Sequence, residues 1–190
     1  GRTNAKVSAI SLGTWAYGGP NMTGKFAVGW GGQEDKESKK ALLAAWENGI
    51  NHWDTADVYG EGKSEKIIGS MWNDIPRNEI FLATKVGWDK KPNSYWYEPL
   101  HMIENLERSL NNLKTSCVDL VYLHHCNFGK KDEYLDDALE VILRFFPVNE
   151  GLRAQPVNDE NPIFRFEPNR KSLFSKNFNF DIKNKVKINN

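Results

Sequence analysis

The spacing of apolar positions switches repeatedly between a period near two and one near 3.6, which marks short strands alternating with helices. Residues 7–12 alternate apolar and small polar side chains and run into Gly13-Thr14-Trp15, predicting a first strand. Over 35–48, Leu42, Leu43 and Trp46 share one helical face, and Gly49 supplies a stop. Residues 50–54 form a second short strand pattern. The spacing over 64–72 predicts a helix with Ser64 as its N-cap and Ile67, Ile68, Met71 and Trp72 on one side. Residues 80–85 read as a third strand. Pro99 suits a first helical turn, after which Leu100, Ile103, Leu106, Leu110 and Leu113 recur at three and four. Residues 118–124 read as a fourth strand and 136–145 as a fourth helix, with Leu139, Ile142 and Phe145 inward.

Four strand-helix units in succession imply a parallel sheet with helical crossovers. Periodicity does not distinguish an open doubly wound sheet from part of a (β/α)₈ barrel. After Phe145 the rhythm stops. Residues 146–190 contain nine Asn, six Phe, five Lys and three Ile but one Ala, and their phenylalanines follow no amphipathic period. The chain therefore divides into a strand-helix region over 1–145 and a divergent Asn/Lys/Phe-rich tail over 146–190. The tail has the composition of a weakly ordered segment, or of A/T-rich DNA translated out of frame.

Composition narrows the class. The chain has 190 residues, with 25 basic and 25 acidic ones, so no global charge points to nucleic acid or an anionic membrane. No apolar run reaches the length of a membrane span. The two cysteines, Cys117 and Cys126, match no zinc or redox spacing, and a reduced, cytoplasmic setting is expected. The generous aromatic content favours a packed domain.

In barrels of parallel strands, chemistry gathers at the C-terminal strand ends. Those ends carry Gly13, Asp54, Lys85 and His124, with Tyr59 just beyond the second strand. An ammonium beside a phenol stabilises the phenolate, a carboxylate holds the ammonium in place, and an imidazole can orient a carbonyl oxygen. Taken singly, each residue also has an ordinary structural role: a strand-end cap, an exposed lysine, a half-buried aromatic, a core histidine.

Together they carry a resemblance. The run from Gly49 through Gly60 (GINHWDTADVYG), followed by Ser64-Glu65 and Gly69, resembles the second-strand signature of the aldo-keto reductases. Ala83-Thr84-Lys85 and Val118-Asp119-Leu120-Val121-Tyr122-Leu123-His124 are similar to that family's third- and fourth-strand segments, and residues 7–15 to its opening strand. The segments occur in the family's order over about residues 1–145.

The resemblance implies a (β/α)₈ barrel with its first four units present, and NADPH-dependent reduction of a small-molecule aldehyde or ketone. It implies Tyr59 as general acid, Lys85 as the cation beside it, Asp54 as partner of Lys85, and His124 as the group that orients the carbonyl. Gly13, Thr14, Trp15 and Asp54 would lie at the cofactor and the mouth of the site, with Trp30 and Trp88 as further wall candidates. No metal ligand is implied. Strand parity predicts that His125 faces away from His124.

Three other readings compete. Gly60-Glu61-Gly62-Lys63-Ser64 has the end of a phosphate-binding loop, but Asp57 stands where the first glycine is required. A metal site of His124, His125 and Cys126 conflicts with the opposite facing of adjacent strand residues. A non-catalytic half-barrel remnant, or an interaction module, follows if the second half of the barrel and its share of the cofactor site are missing. A half barrel also leaves two open sheet edges, which invites self-association.

Overall fold

The computed structural model describes residues 5–23, 25–88 and 94–145. The divergent tail predicted over 146–190 lies outside the described residues. A four-stranded sheet is built from β1 (Ser11–Gly13), β4 (His52–Asp54), β5 (Phe81–Val86) and β6 (Leu120–Leu123), in that spatial order. All three pairings are parallel, with Gly13 beside Asp54, Asp54 beside Ala83 and Lys85 beside Tyr122. Along the chain, an antiparallel hairpin of β2 (Asn21–Thr23) and β3 (Phe26–Val28) intervenes between β1 and β4 as a separate two-stranded sheet.

The helices are α1 (Asp35–Glu47), α2 (Lys63–Gly69), α3 (Pro99–Asn112) and α4 (Leu135–Phe145). Strand order follows chain order without a reversal, and each helix packs on the next: α1 on α2, α2 on α3, α3 on α4. Right-handed crossovers in an unreversed sheet put every helix on one face. A doubly wound sheet would reverse its order and divide the helices between two faces. The described residues therefore form a curved (β/α)₄ segment of barrel type.

Two packed clusters hold it. Leu42, Trp53, Ile67, Ile68, Ile75, Leu82 and Leu113 bury one half, where Trp53 stacks on Trp72 at 6.2 Å. Met102, Leu106, Val121, Leu123, Ala138 and Ile142 bury the other. Each fully buried side chain of this size contributes about 1.5–3 kcal/mol. No helix among the described residues is long and apolar enough to cross a membrane.

Several local expectations are corrected. The first strand begins at Ser11 rather than residue 7, leaving Val7 and Ile10 exposed. Ser8 accounts for this: its amide donates to the Asn51 side chain at 2.7 Å, and its hydroxyl accepts from the Asn51 and His52 amides. Side-chain bonds thus replace the ladder there. Helix α2 starts two residues early, with Gly62 at φ +83° in the cap position, so Ser64 lies inside the first turn and caps nothing. On α3 the buried stripe is rotated from the predicted leucine line. Leu100 is 45% exposed, whereas His101, Met102, Asn105, Leu106 and Ser109 are buried. Of its polar members, Ser109 interacts with the buried Glu65 of α2 and Asn105 lies 3.4 Å from His101 on α3 itself, neither of which apolar spacing reports. The β2–β3 hairpin was not expected.

Candidate active site

The strand ends bring four distant side chains together. Lys85 Nζ donates to Asp54 Oδ1 at 2.5 Å, to the Thr55 carbonyl at 2.9 Å and to the Tyr59 phenolic oxygen at 3.1 Å. These three bonds occupy all three donors of an ammonium. Because the Tyr59 oxygen accepts from Lys85, its own O–H remains to serve another acceptor.

The His124 ring meets the Tyr59 ring edge-on at 5.9 Å. Its amide donates to the Val86 carbonyl, extending the β5–β6 ladder by one residue and fixing the backbone beneath the imidazole. Burial first, then the Lys85 charge and His125, lower the His124 pKa to about 4. The ring is thus neutral near pH 7, with one N–H donor and one acceptor.

A cavity of about 880 Å³ opens over this group. Tyr59 and His124 line it, while Asp54 and Lys85 are not among its lining residues. The pair suited to touch a ligand thus faces the space, and the ion pair lies behind. Trp15 stacks on Tyr59 at 5.9 Å and 26°, and Trp30 stands edge-on to Trp15 at 4.6 Å. Trp88 leans on His124 at 5.4 Å.

Of the residues expected at the cofactor, Trp15 lines the cavity, and Gly13 has nothing within 4 Å of where a Cβ would stand. Thr14 is wholly buried and does not line the cavity; its hydroxyl and its amide both donate to the Asp54 carbonyl. Trp88 lines the wall, and Trp30 reaches it through Trp15.

Two glycine contacts make the arrangement attainable. The turn over Trp15–Gly18 presses on the turn after Tyr59, where a Cβ on Gly60 would lie 2.1 Å from the Gly18 oxygen. At the end of β5, Gly87 adopts φ +111°, and a Cβ there would overlap the buried Tyr97 ring.

The two histidines follow directly on β6, which ends at Leu123, and both rings touch Trp88. Only the His124 ring meets Tyr59. The His125 ring packs against Trp96 and Tyr97. The phosphate-loop alternative finds its groups otherwise engaged: Lys63 pairs with Asp35 at 2.9 Å and the Ser64 hydroxyl points inward to Thr14. No cluster of three or more metal-ligating side chains occurs among the described residues.

Some of the wall escaped the sequence reading. Met22, Phe26 and Val28 come from the hairpin, and Asp57, Trp96 and Arg108 are among the other lining residues. The short apolar-polar alternation on either side of Gly24 was the signal available for the hairpin. Asp57, wholly buried with Arg108 at 4.0 Å, carried no such signal.

The comparisons with known proteins bear on the fold and the family. A family model described as the aldo/keto reductase family matches residues 9–172, running past Phe145, where the motif resemblance stops. The chain is 37% identical over 125 residues to the aldo-keto reductase YhdN of Bacillus subtilis (strain 168), covering 64% of this chain and 35% of that protein. Among solved structures it is similar to the glycerol dehydrogenase AKR11B4 of Gluconobacter oxydans, at 30% identity and a TM-score of 0.59, covering 74% of this chain and 42% of that one. It is also similar to an aldo-keto reductase of Klebsiella pneumoniae solved in complex with NADPH, at 25% identity and a TM-score of 0.57, covering 75% and 44%. The chain spans about a third of the length of the curated relatives it matches.

Proposed function

This chain belongs to the aldo/keto reductase family, and on that premise we propose that it acts in the NADPH-dependent reduction of aldehydes or ketones to alcohols. The observation that carries the reading is the Lys85 ammonium bonded to both Asp54 and Tyr59 behind a cavity that Tyr59 and His124 line. The cavity volume falls within the roughly 300–1,000 Å³ of small-molecule sites.

Tyr59 is the proton donor. Its oxygen already accepts from Lys85, so its O–H is the group left to point at a carbonyl oxygen. Lys85 stabilises negative charge left on the phenol after transfer, and Asp54 with the Thr55 carbonyl holds the ammonium against the cost of partial burial. His124, neutral, offers a second hydrogen bond to the oxygen on which charge develops. Trp15 and Trp88 pack against Tyr59 and His124 respectively, as walls of the pair.

A nicotinamide cofactor, when bound, supplies the hydride. Of the residues expected at it, Trp15 stands on the cavity wall and Gly13 leaves open space at the end of β1, while Asp54 and Thr14 would act from behind, through the Lys85 shell. NADPH as the cofactor is supported by the Klebsiella relative solved with it. A cytoplasmic setting is part of the reading and is supported by two exposed free cysteines, Cys117 and Cys126.

The test is a titration of NADPH followed by tryptophan fluorescence, with turnover of a simple aldehyde. Saturable quenching and turnover that disappears in Tyr59→Phe support the reading. Absence of binding at millimolar NADPH overturns it in favour of a non-catalytic half barrel.

A further inference from the structure

Two adjacent residues in the first turn of α2 are buried without being needed by their own helix. Ser64 and Glu65 are both 0% exposed. Ser64 caps nothing, and its hydroxyl instead joins two strand ends. It accepts from Thr55 Oγ1 at 3.0 Å and lies 2.9 Å and 2.8 Å from the Thr14 carbonyl and hydroxyl oxygens, either of which can take its single proton. Thr14 in turn donates to the Asp54 carbonyl at 2.9 Å.

Every acceptor of the Lys85 ammonium belongs to the segment this hydroxyl closes. Asp54, Thr55 and Tyr59 supply the three acceptors, and the Ser64 amide returns to the Tyr59 carbonyl at 3.2 Å. Residues 54–64 therefore form a loop that begins on the partner of Lys85 and is pinned shut by Ser64 on Thr55.

Glu65 anchors the same turn from the other side. Its carboxylate accepts from Thr84, the residue before Lys85, at 2.8 Å and from Asn112 of α3 at 3.0 Å. A carboxyl removed from water to this degree is costly unless its bonds are needed. The α2 turn thus grips the peptide on both sides of the Lys85 ammonium.

We infer that Ser64 is a positioning residue, which holds the Thr55 carbonyl and through it sets the Lys85 ammonium against Tyr59. The inference rests on the proposed carbonyl reduction for its meaning in catalysis, but not for its geometry.

The experiment measures the order of the Lys85 shell directly. The full chain is acetylated with an N-hydroxysuccinimide ester, and Lys85 labelling is quantified by mass spectrometry relative to exposed Lys40. Ser64→Ala and Thr55→Val both delete the Thr55–Ser64 hydrogen bond with little change of shape, and Ser64→Ala deletes the bond to Thr14 as well. In Thr55→Val the ratio rises about fivefold, the factor set by loss of one ordinary hydrogen bond, in Ser64→Ala at least as much, and Ser64→Thr keeps the wild-type ratio. Either deletion variant decides the question if the other does not fold.

A lowered melting temperature with an unchanged ratio overturns the inference and leaves Ser64 as packing. If the wild-type chain reduces a carbonyl, kcat of Ser64→Ala falls about fivefold at unchanged KM. If the wild-type chain reduces nothing, the functional reading fails while the labelling ratio still tests the positioning role.

Discussion

Tyr59 and Lys85, 26 residues apart in the chain, meet twice: the ammonium lies 3.1 Å from the phenolic oxygen and 4.8 Å from the centre of its ring. The second contact places the cation over the face of the phenol as well as at its oxygen. Asp54 and the Thr55 carbonyl take the other two donors.

Deleting either member of this pair separates proton transfer from binding. Tyr59→Phe is expected to lower kcat for aldehyde reduction by about 10²–10⁴ with little change in KM, since the ring and its stack on Trp15 survive. Lys85→Met is expected to do the same and to leave Asp54 without its cation. Steady-state kinetics with one aldehyde over a range of NADPH concentrations measures both.

Acid is expected to destabilise the fold through His124. Its folded pKa, about 4, lies below the ordinary 6.5, so between these values the unfolded chain binds more protons than the folded one. Stability is fully present above pH 6.5 and falls as pH drops toward about 4. His125 is lowered in the same direction, chiefly by burial. His124→Gln should flatten the dependence of melting temperature on pH across that window, and an unchanged slope would remove His124 from the account.

Gly60→Ala tests the contact between the Trp15–Gly18 and Tyr59 turns. Gly60 has φ +60°, which costs an L-residue roughly 1–2 kcal/mol. The added Cβ would also stand 2.1 Å from the Gly18 oxygen. Denaturant unfolding is expected to show a loss of at least that size, and the Trp15–Tyr59 stack should separate, visible as altered tryptophan fluorescence.

We propose that the open sheet edges support self-association. Among the described residues, β1 pairs only with β4 and β6 only with β5. Light scattering after size exclusion, across a range of protein concentrations, is expected to show a mass that rises with concentration. A constant monomer mass would count against it.

The strand-helix order, the α1 boundary, the start of α3 at Pro99 and the grouping of Asp54, Tyr59, Lys85 and His124 were legible from pattern and motif. Residues 7–10 were misjudged because alternation describes which side chains suit a strand, and Ser8 instead bonds to Asn51. The buried line on α3 was misjudged for a related reason: Ser109 and Asn112 serve the buried Glu65, and hydrophobic spacing is silent about buried polar partners. The hairpin wall was missed because Met22 and Phe26 lie on strands of three residues, too short to establish a period.

The amino-acid sequence by itself determined the strand-helix alternation, through local periodicity, and the resemblance to the family, through motifs that named the four candidate site groups. Only the tertiary structure decided that the strands run in unreversed order with all helices on one face. It alone decided that Lys85 spends its three donors on Asp54, Thr55 and Tyr59, and that Ser64 turns inward to close that shell. Hydrogen-bond partners between residues tens of positions apart depend on how separate strands align, and alignment is set by the packing of the whole layer.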